Sequence, residues 1–379
     1  MRAVIALEDG SLFHGEGFGA IGMQVGEVVF NTSMTGYQES LTDPSYYRQI
    51  VVATVPHVGN VGVNLDDPES ERIWVAGYGV RALSPAISNW RAQASLHDYL
   101  RSQNVIGISN LETRALVRRL RTQGVMRGVI ANGEAAEDTE LLLWEAKRWS
   151  GMDGLDLAKE VTCKAPYIWE EPTEHEWYIA NGATMNAPRG HIVAYDFGIK
   201  RNILRLLTSR GFRVTVVPAT TTAQEALSLQ PDGIFLSNGP GDPAAVTYAI
   251  DAIREMVGKV PIFGICLGHQ LLGLALGGKT QKMLFGHRGG NQPVRDPESG
   301  AVTITVHNHG FAVTPGSLPE DVVVTRVNLN DNCIEGLRCD RLSAFSVQYH
   351  PEAAPGSHDA LDLFDEFVAL VENGVHERP

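Results

Sequence analysis

The chain has 379 residues, more than one hydrophobic core usually organises, so two domains are expected. Its 44% hydrophobic and 20% charged residues are ordinary for a globular protein and exclude collagen-like, disordered and repeat architectures. The formal net charge of −13 repels phosphate backbones and anionic lipid, so nucleic-acid or membrane binding would require a local basic patch.

The first residues, MRAVIALEDG, meet acidic side chains by position 8 and hold no long apolar core, which reads as neither a signal peptide nor a membrane anchor. Short strand-like runs follow at Ala3 to Leu7, Val28 to Asn31 and Ile50 to Thr54, separated by glycine-rich turns such as HGEGFGAIG. Helical periodicity appears over Leu111 to Arg121 and Glu137 to Trp149. The first of these carries Arg114, Arg118, Arg119 and Arg121, the only candidate basic patch, at the spacing of one solvated helix face. Residues 1–152 therefore read as a mixed α+β domain. Over 153–189 the periodicity fades into acid, Pro, Gly and Asn, the composition of an exposed connector. From 190 to 379 apolar runs (IVAYDF, RVTVVP, GIFLSN, PIFGI) alternate with helical stretches, the pattern of an α/β domain with a mostly parallel sheet flanked by helices.

Four cysteines, Cys163, Cys266, Cys333 and Cys339, form no C-x-x-C pair in this long chain. Neither a zinc motif nor a disulfide framework is indicated, and a reducing cytoplasm is expected. Cys266 stands apart: in PIFGICLGHQLLGLALGG it joins a buried-type strand, Pro261 to Ile265, to an apolar helix, Leu267 to Leu276. Gly264 and Gly268 relieve crowding at such a strand-to-helix elbow. A thiol at a helix N-terminus feels the positive end of the dipole, and the N–H of Leu267 faces a developing oxyanion. Read alone, the elbow also fits a small buried thiol acting as a hydrophobe.

An acyl-transfer thiol needs a base and a group to orient that base. AFSVQYHPEA supplies His350 and Glu352 where an expected strand, Ala344 to Tyr349, is halted by Pro351. Read without Cys266, the pair is also compatible with an exposed turn. Two glycine-bearing turns are expected after apolar strands, SNGPGDP (Ser237 to Pro243) and HNHGFAV (His307 to Val313). The N–H of Gly239 in the first is a candidate second oxyanion donor. In the second, His307 and His309 have no third metal ligand at suitable spacing nearby, so no metal is expected. GLALGGKT, Gly273 to Thr280, matches a phosphate-loop pattern only literally, because Gly273 falls inside a helical stretch and Gly277 and Gly278 read as its stop.

Together GICLGHQ, SNGPGDP, HNHGF and the HPE segment resemble the class I glutamine amidotransferases, whose triad is Cys, His and Glu. The resemblance implies a glutaminase with Cys266, His350 and Glu352 in those roles and oxyanion donors at Gly239 and Leu267. In the first half, LEDGSLFHGEGFGA, GEVVFNTSMTGYQESLTDPSYYRQI, PHVGNVGVN and ISNLETRALVRRLR are similar to the small subunits of carbamoyl phosphate synthetases, as are VAYDFGIKRNILR and FGHRGGNQPV later on. That similarity implies L-glutamine contacts from Ser45, Gly239, Gly241, Leu267, Gln270, Asn308, Gly310 and Phe311. It also implies a large synthetase subunit as partner, which uses ATP, magnesium and bicarbonate and receives ammonia through a tunnel, with no cofactor held by this chain. Unaided, Ser45 beside Pro44 is simply a turn residue.

Overall fold

In the first strand, β1 (Arg2–Leu7), Ala3, Ile5 and Leu7 join one buried cluster and Val4 and Ala6 another, the two-residue period of a strand covered on both sides. The computed structural model describes residues 1–173 and 189–376. Its chain divides into two units. The first holds Met1–Asp153, Met283–Gly290 and Ala354–Gly356, and the second holds Gly154–Lys282, Asn291–Ala353 and the chain from Ser357 onward.

Among the described residues the first unit closes seven strands into a barrel: β1, β2 (Leu12–Gly19), β3 (Met23–Asn31), β4 (Gln49–Ala53), β5 (Gly77–Gly79), β6 (Ile106–Ser109) and β7 (Met126–Asn132), in the order β1-β2-β6-β5-β4-β3-β7. Closure leaves no open edge. The inward set includes Ile5, Val28, Ile50, Ile108 and Ile130, with Leu116 and Leu120 of the helix Thr113–Gln123 in the same cluster. The four arginines of that helix point outward, Arg119 pairing with Asp9. On another face Val4, Ala6, Val129 and Ala131 pack against Leu142 and Ala146 of the helix Thr139–Arg148. Part of the segment Gln281 to Phe285 belongs here: Leu284 accepts a bond from the Val125 N–H, and the Phe285 ring centroid lies 5.9 Å from that of Phe30.

The second unit is built on a mixed sheet of ten strands among the described residues: β8 (Tyr167–Trp169), β9 (Gly190–Asp196), β10 (Phe212–Pro218), β11 (Gly233–Leu236), β12 (Ile262–Ile265), β13 (Thr280–Arg295, of which Met283–Gly290 is counted with the first unit), β14 (Val302–Val313), β15 (Val323–Asn328), β16 (Ile334–Cys339) and β17 (Ala344–Val347). Its centre, β10-β9-β11-β12-β17, is parallel, and antiparallel strands extend it on both sides. Alternate residues of the central strands enter two cores. Ile192, Phe235 and Phe263 meet the helices Arg201–Ser209 and Asp362–His376, whereas Val193, Ile234 and Ile262 meet Thr247–Met256 and Leu267–Ala275. Both faces are covered, which is why these strands read as continuous apolar runs.

Two expectations change here. The stretch expected as a connector is partly built into the second unit, because β8 pairs with β10 through Val214 and Trp169 and the turn Ala158–Val161 packs against the sheet; residues 174–188 of that stretch lie outside the described residues. HNHGFAV is not a turn but the end of the continuous strand β14. Its His, Asn and Gly residues look like loop punctuation, yet His307, Asn308 and His309 are all buried.

Gly77 of β5 tests the barrel interior. A Cβ placed there would lie 2.5 Å from Cγ2 of Ile130, on a strand that is not its neighbour. Gly77→Ala should cost about 1–3 kcal/mol by overpacking. In an Ile130→Ala background the same change should cost less, a coupling that a double-mutant cycle of chemical unfolding will measure.

Candidate functional site

Ligands of open α/β sheets bind beyond the carboxyl ends of the strands, and adjacent strands of the parallel core bring four segments to such ends. Phe197 to Lys200 follow β9, Ser237 to Gly241 follow β11, Cys266 follows β12, and His350 and Glu352 come soon after β17.

Cys266 caps the helix Leu267–Ala275 with φ 53° and ψ −103°, outside the regions that L-residues favour, at a strain of about 1–3 kcal/mol. Backbone bonds hold it there: its own N–H donates to Val347 O at 2.9 Å, that of Gly268 to Ser237 O at 2.9 Å, and that of Gln270 to Cys266 O at 3.1 Å. The two glycines are a packing requirement. A Cβ on Gly268 would sit 2.2 Å from Leu236 O, and one on Gly264 would sit 2.8 Å from the Gly268 carbonyl. The thiol is buried with Sγ 3.6 Å from the carbonyl oxygen of Asn308 on β14. Gly273 lies inside this helix, while Gly277 takes φ 98° just past its end and the Gly278 N–H returns to Gly273 O, a helix stop with no strand before it.

His350 is anchored through its N–H to Val306 O, and its Nδ1 lies 2.7 Å from Oε1 of Glu352. Among the described residues Nε2 has no hydrogen-bond partner at standard length. Burial alone would push the imidazole down, but Glu352 and then Cys266 outweigh it and raise it to about 10. His269, also buried, goes the other way: burial takes it to about 3, against a smaller opposing effect from Ser346. His269 therefore stays neutral, and His350 is the histidine suited to holding a proton. Burial would raise the Glu352 carboxyl, yet Lys200 and then His350 hold it well below the usual carboxylate range.

Lys200 and Asn202 are the residues that the sequence reading missed. The Lys200 ammonium, itself buried, donates to Glu352 Oε1 at 2.9 Å and to Ala353 O, and Asn202 donates to the Glu352 carbonyl. Their only sequence signal was a lysine directly after an apolar strand, in DFGIKRN. The Lys200 N–H bonds Asn238 Oδ1, and Asn238 donates in turn to Gly198 O, so the segments after β9 and β11 form one piece.

Of the residues implied for glutamine, Gly239, Gly241, Leu267, Gln270, Asn308, Gly310 and Phe311 all lie in the second unit. A Cβ on Gly239 would meet Phe197 O at 2.1 Å, and Gly241 has φ 97° with Leu155 O 2.7 Å from its ideal Cβ. Gln270 spends its amide hydrogens on Phe311 O and Gln348 Oε1, joining the elbow helix to β14. Ser45 belongs to the first unit, buried in the single turn Pro44–Tyr46, where its N–H donates to Asp43 Oδ1. Glu335 on β16 approaches His307, Oε2 to Nδ1 3.7 Å, a neighbour that spacing along the chain did not reveal.

Residues 193–370 match the family of class-I glutamine amidotransferases, and residues 5–130 match the CPSase domain of the carbamoyl-phosphate synthase small chain. Full-length similarity agrees. The chain is 54% identical to the chloroplastic carbamoyl phosphate synthase small chain of Oryza sativa subsp. japonica, over 98% of this chain and 82% of that one. It is 54% identical to the carbamoyl phosphate synthase small chain of Syntrophotalea carbinolica, covering 98% of each, and 52% identical to that of Escherichia coli O6:H1, covering 98% and 97%.

The Lys200 ion pair carries a sign that can be checked. Because the Glu352 pKa is depressed in the folded chain, it contributes stability that is present above its ordinary value near 4.5 and is lost as pH falls through the folded value. Lys200→Met removes the larger of the two depressing charges, so the acid-unfolding midpoint should move to higher pH in a titration followed by circular dichroism. An unchanged midpoint would show that Lys200 does not hold the carboxylate.

Proposed function

The chain belongs to the carbamoyl phosphate synthase small chain family, and from that premise we propose that it hydrolyses L-glutamine through Cys266, His350 and Glu352 and passes the ammonia to a large synthetase subunit. There, in our reading, ATP, magnesium and bicarbonate complete carbamoyl phosphate for arginine and pyrimidine synthesis. The observation that carries the chemistry is the strained elbow placing Cys266 at a helix start, in a unit whose buried His350 is held by Glu352.

The steps follow from the residues. His350 takes the thiol proton, a state its raised pKa favours. Sulfur attacks the side-chain amide carbon of glutamine, and the N–H groups of Leu267 and Gly239 hold the developing oxyanion. As the C–N bond breaks, His350 returns the proton to the leaving nitrogen and ammonia departs. Water, deprotonated by His350, then attacks the glutamyl thioester; the C–S bond breaks, glutamate forms, and the proton goes back to sulfur. Glu352 keeps the ring oriented with Nδ1–H toward the carboxylate. Around the substrate we assign Gly241, Asn308, Gly310, Phe311 and Gln270. With its amide hydrogens engaged, Gln270 contributes through Oε1, an acceptor suited to the substrate's α-ammonium. Ser45 is assigned from family resemblance alone.

A tunnel is the chemically sensible route for the product, since ammonia released into neutral water is mostly protonated and no longer nucleophilic. Among the described residues no helix is long and apolar enough to cross a membrane, and Cys163, Cys266, Cys333 and Cys339 are unpaired. Unpaired cysteines support a reducing compartment, for which we propose the cytoplasm; the rice relative is named as chloroplastic.

Glutamate release from L-glutamine, assayed with the large subunit, should fall at least about a thousandfold in Cys266→Ala. Synthesis of carbamoyl phosphate from added ammonia should persist in the same complex. An electrophilic glutamine analogue should label Cys266 in the unaltered chain. Full glutaminase activity in the variant would overturn the nucleophile assignment.

A further inference from the structure

His307 and His309 stand two residues apart on β14, so both project to the same side of the strand. Their rings are tilted 38° to one another, with His307 Nδ1 3.1 Å from His309 Nε2. The outer partners of the two rings decide where the ring protons are. His309 Nδ1 lies 2.8 Å from the carbonyl oxygen of Phe311, which only accepts, so Nδ1 carries hydrogen and neutral His309 presents a lone pair at Nε2. Thr305 Oγ1 spends its one hydrogen on Gln292 O at 3.0 Å and therefore accepts from His307 Nε2 at 2.7 Å. Neutral His307 is left with its lone pair at Nδ1. Two lone pairs aimed at each other across 3.1 Å repel unless a cation or a hydrogen-bond donor lies between or beside them.

The third group is a carboxylate. Glu335 Oε2 on β16 lies 3.7 Å from His307 Nδ1, while Oε1 is occupied by a 3.1 Å bond from Asn328 Nδ2. Donor atoms of His307, His309 and Glu335 lie within 4.8 Å of one another, and all three side chains are buried. Two imidazoles and a carboxylate form a donor set typical of zinc, whose bonds of 2.0–2.1 Å place neighbouring tetrahedral ligands roughly 3.3 Å apart. The separations of 3.1 and 3.7 Å lie on either side of that value. Each imidazole also has the outward hydrogen-bond acceptor that metal-bound histidines characteristically use.

We propose that His307, His309 and Glu335 bind a divalent transition cation, with zinc the best match. Asn308 lies between the two histidines, and its carbonyl oxygen is 3.6 Å from Cys266 Sγ. A bound cation therefore fixes the strand segment that borders the thiol. Its role is positional, and the glutaminase steps do not pass through it.

The test uses the full chain carrying Cys266→Ala, so that the active thiol cannot take the metal, freed of metal by chelation and then titrated with zinc against a chromophoric chelator. One zinc per chain is expected. His307→Gln should weaken binding by at least tenfold, and cobalt in the same site should show tetrahedral d–d bands without a sulfur charge-transfer band. Thr305→Val, which removes only the outer partner of His307, should weaken binding about 10–100-fold and serves if the histidine variant fails to fold. No zinc retained after gel filtration overturns the site and leaves a shared proton as the charge between the rings. Zinc held equally by wild-type, His307→Gln and Thr305→Val side chains overturns it as well.

Discussion

A carboxylate with no access to water stays charged only if the protein supplies the lost solvation, and Glu352 is fully buried. One of its oxygens accepts from both His350 and Lys200, and its own carbonyl accepts from Asn202. Those donors come from distant parts of the chain, after β9 and after β17, so the carboxylate fastens the two strand ends to each other. Breaking a buried pair of this kind costs about 3–5 kcal/mol, a large share of a domain's net stability. The same interaction that secures the C-terminal segment also sets the His350 tautomer and proton affinity, so stability and proposed chemistry depend on one charge balance.

The elbow at Cys266 is a second constraint. Its strain of about 1–3 kcal/mol is comparable to the three backbone bonds that surround it, each worth about 0.5–1.5 kcal/mol. Those bonds exist because Gly264 and Gly268 let the helix approach the strands until Leu236 O occupies the space of a missing Cβ. With both faces of the parallel core packed, the sheet is rigid enough to keep the thiol in a conformation that a mobile loop would relax. His269, fully buried on the same helix and bonded to Ser346, shows how the same interior keeps one histidine neutral while the Glu352 charge raises the proton affinity of another.

Much of this was legible from the sequence because local patterns and local chemistry coincide there. The strands at Ala3 to Leu7 and Val28 to Asn31, the helices near 113 and 139, and the elbow between β12 and its helix all carry their periodicity or their glycines in adjacent residues. The barrel was not legible, since closure of seven strands is set by pairings such as β2 with β6 and β3 with β7, which leave no mark in a local window. HNHGFAV was misread for a related reason. Its polar residues and glycine resemble a turn until the fold buries them.

By itself the sequence determined the types of most elements, the candidates for nucleophile, histidine and carboxylate, and the family resemblance, because each rests on residue identities a few positions apart. Only the tertiary structure decided which distant groups complete them. Lys200 reaches Glu352 across 152 residues of chain, and Glu335 reaches His307 from another strand. Such partners are chosen by the energy of burying charge, which acts through space, and neither composition nor spacing along the chain records it.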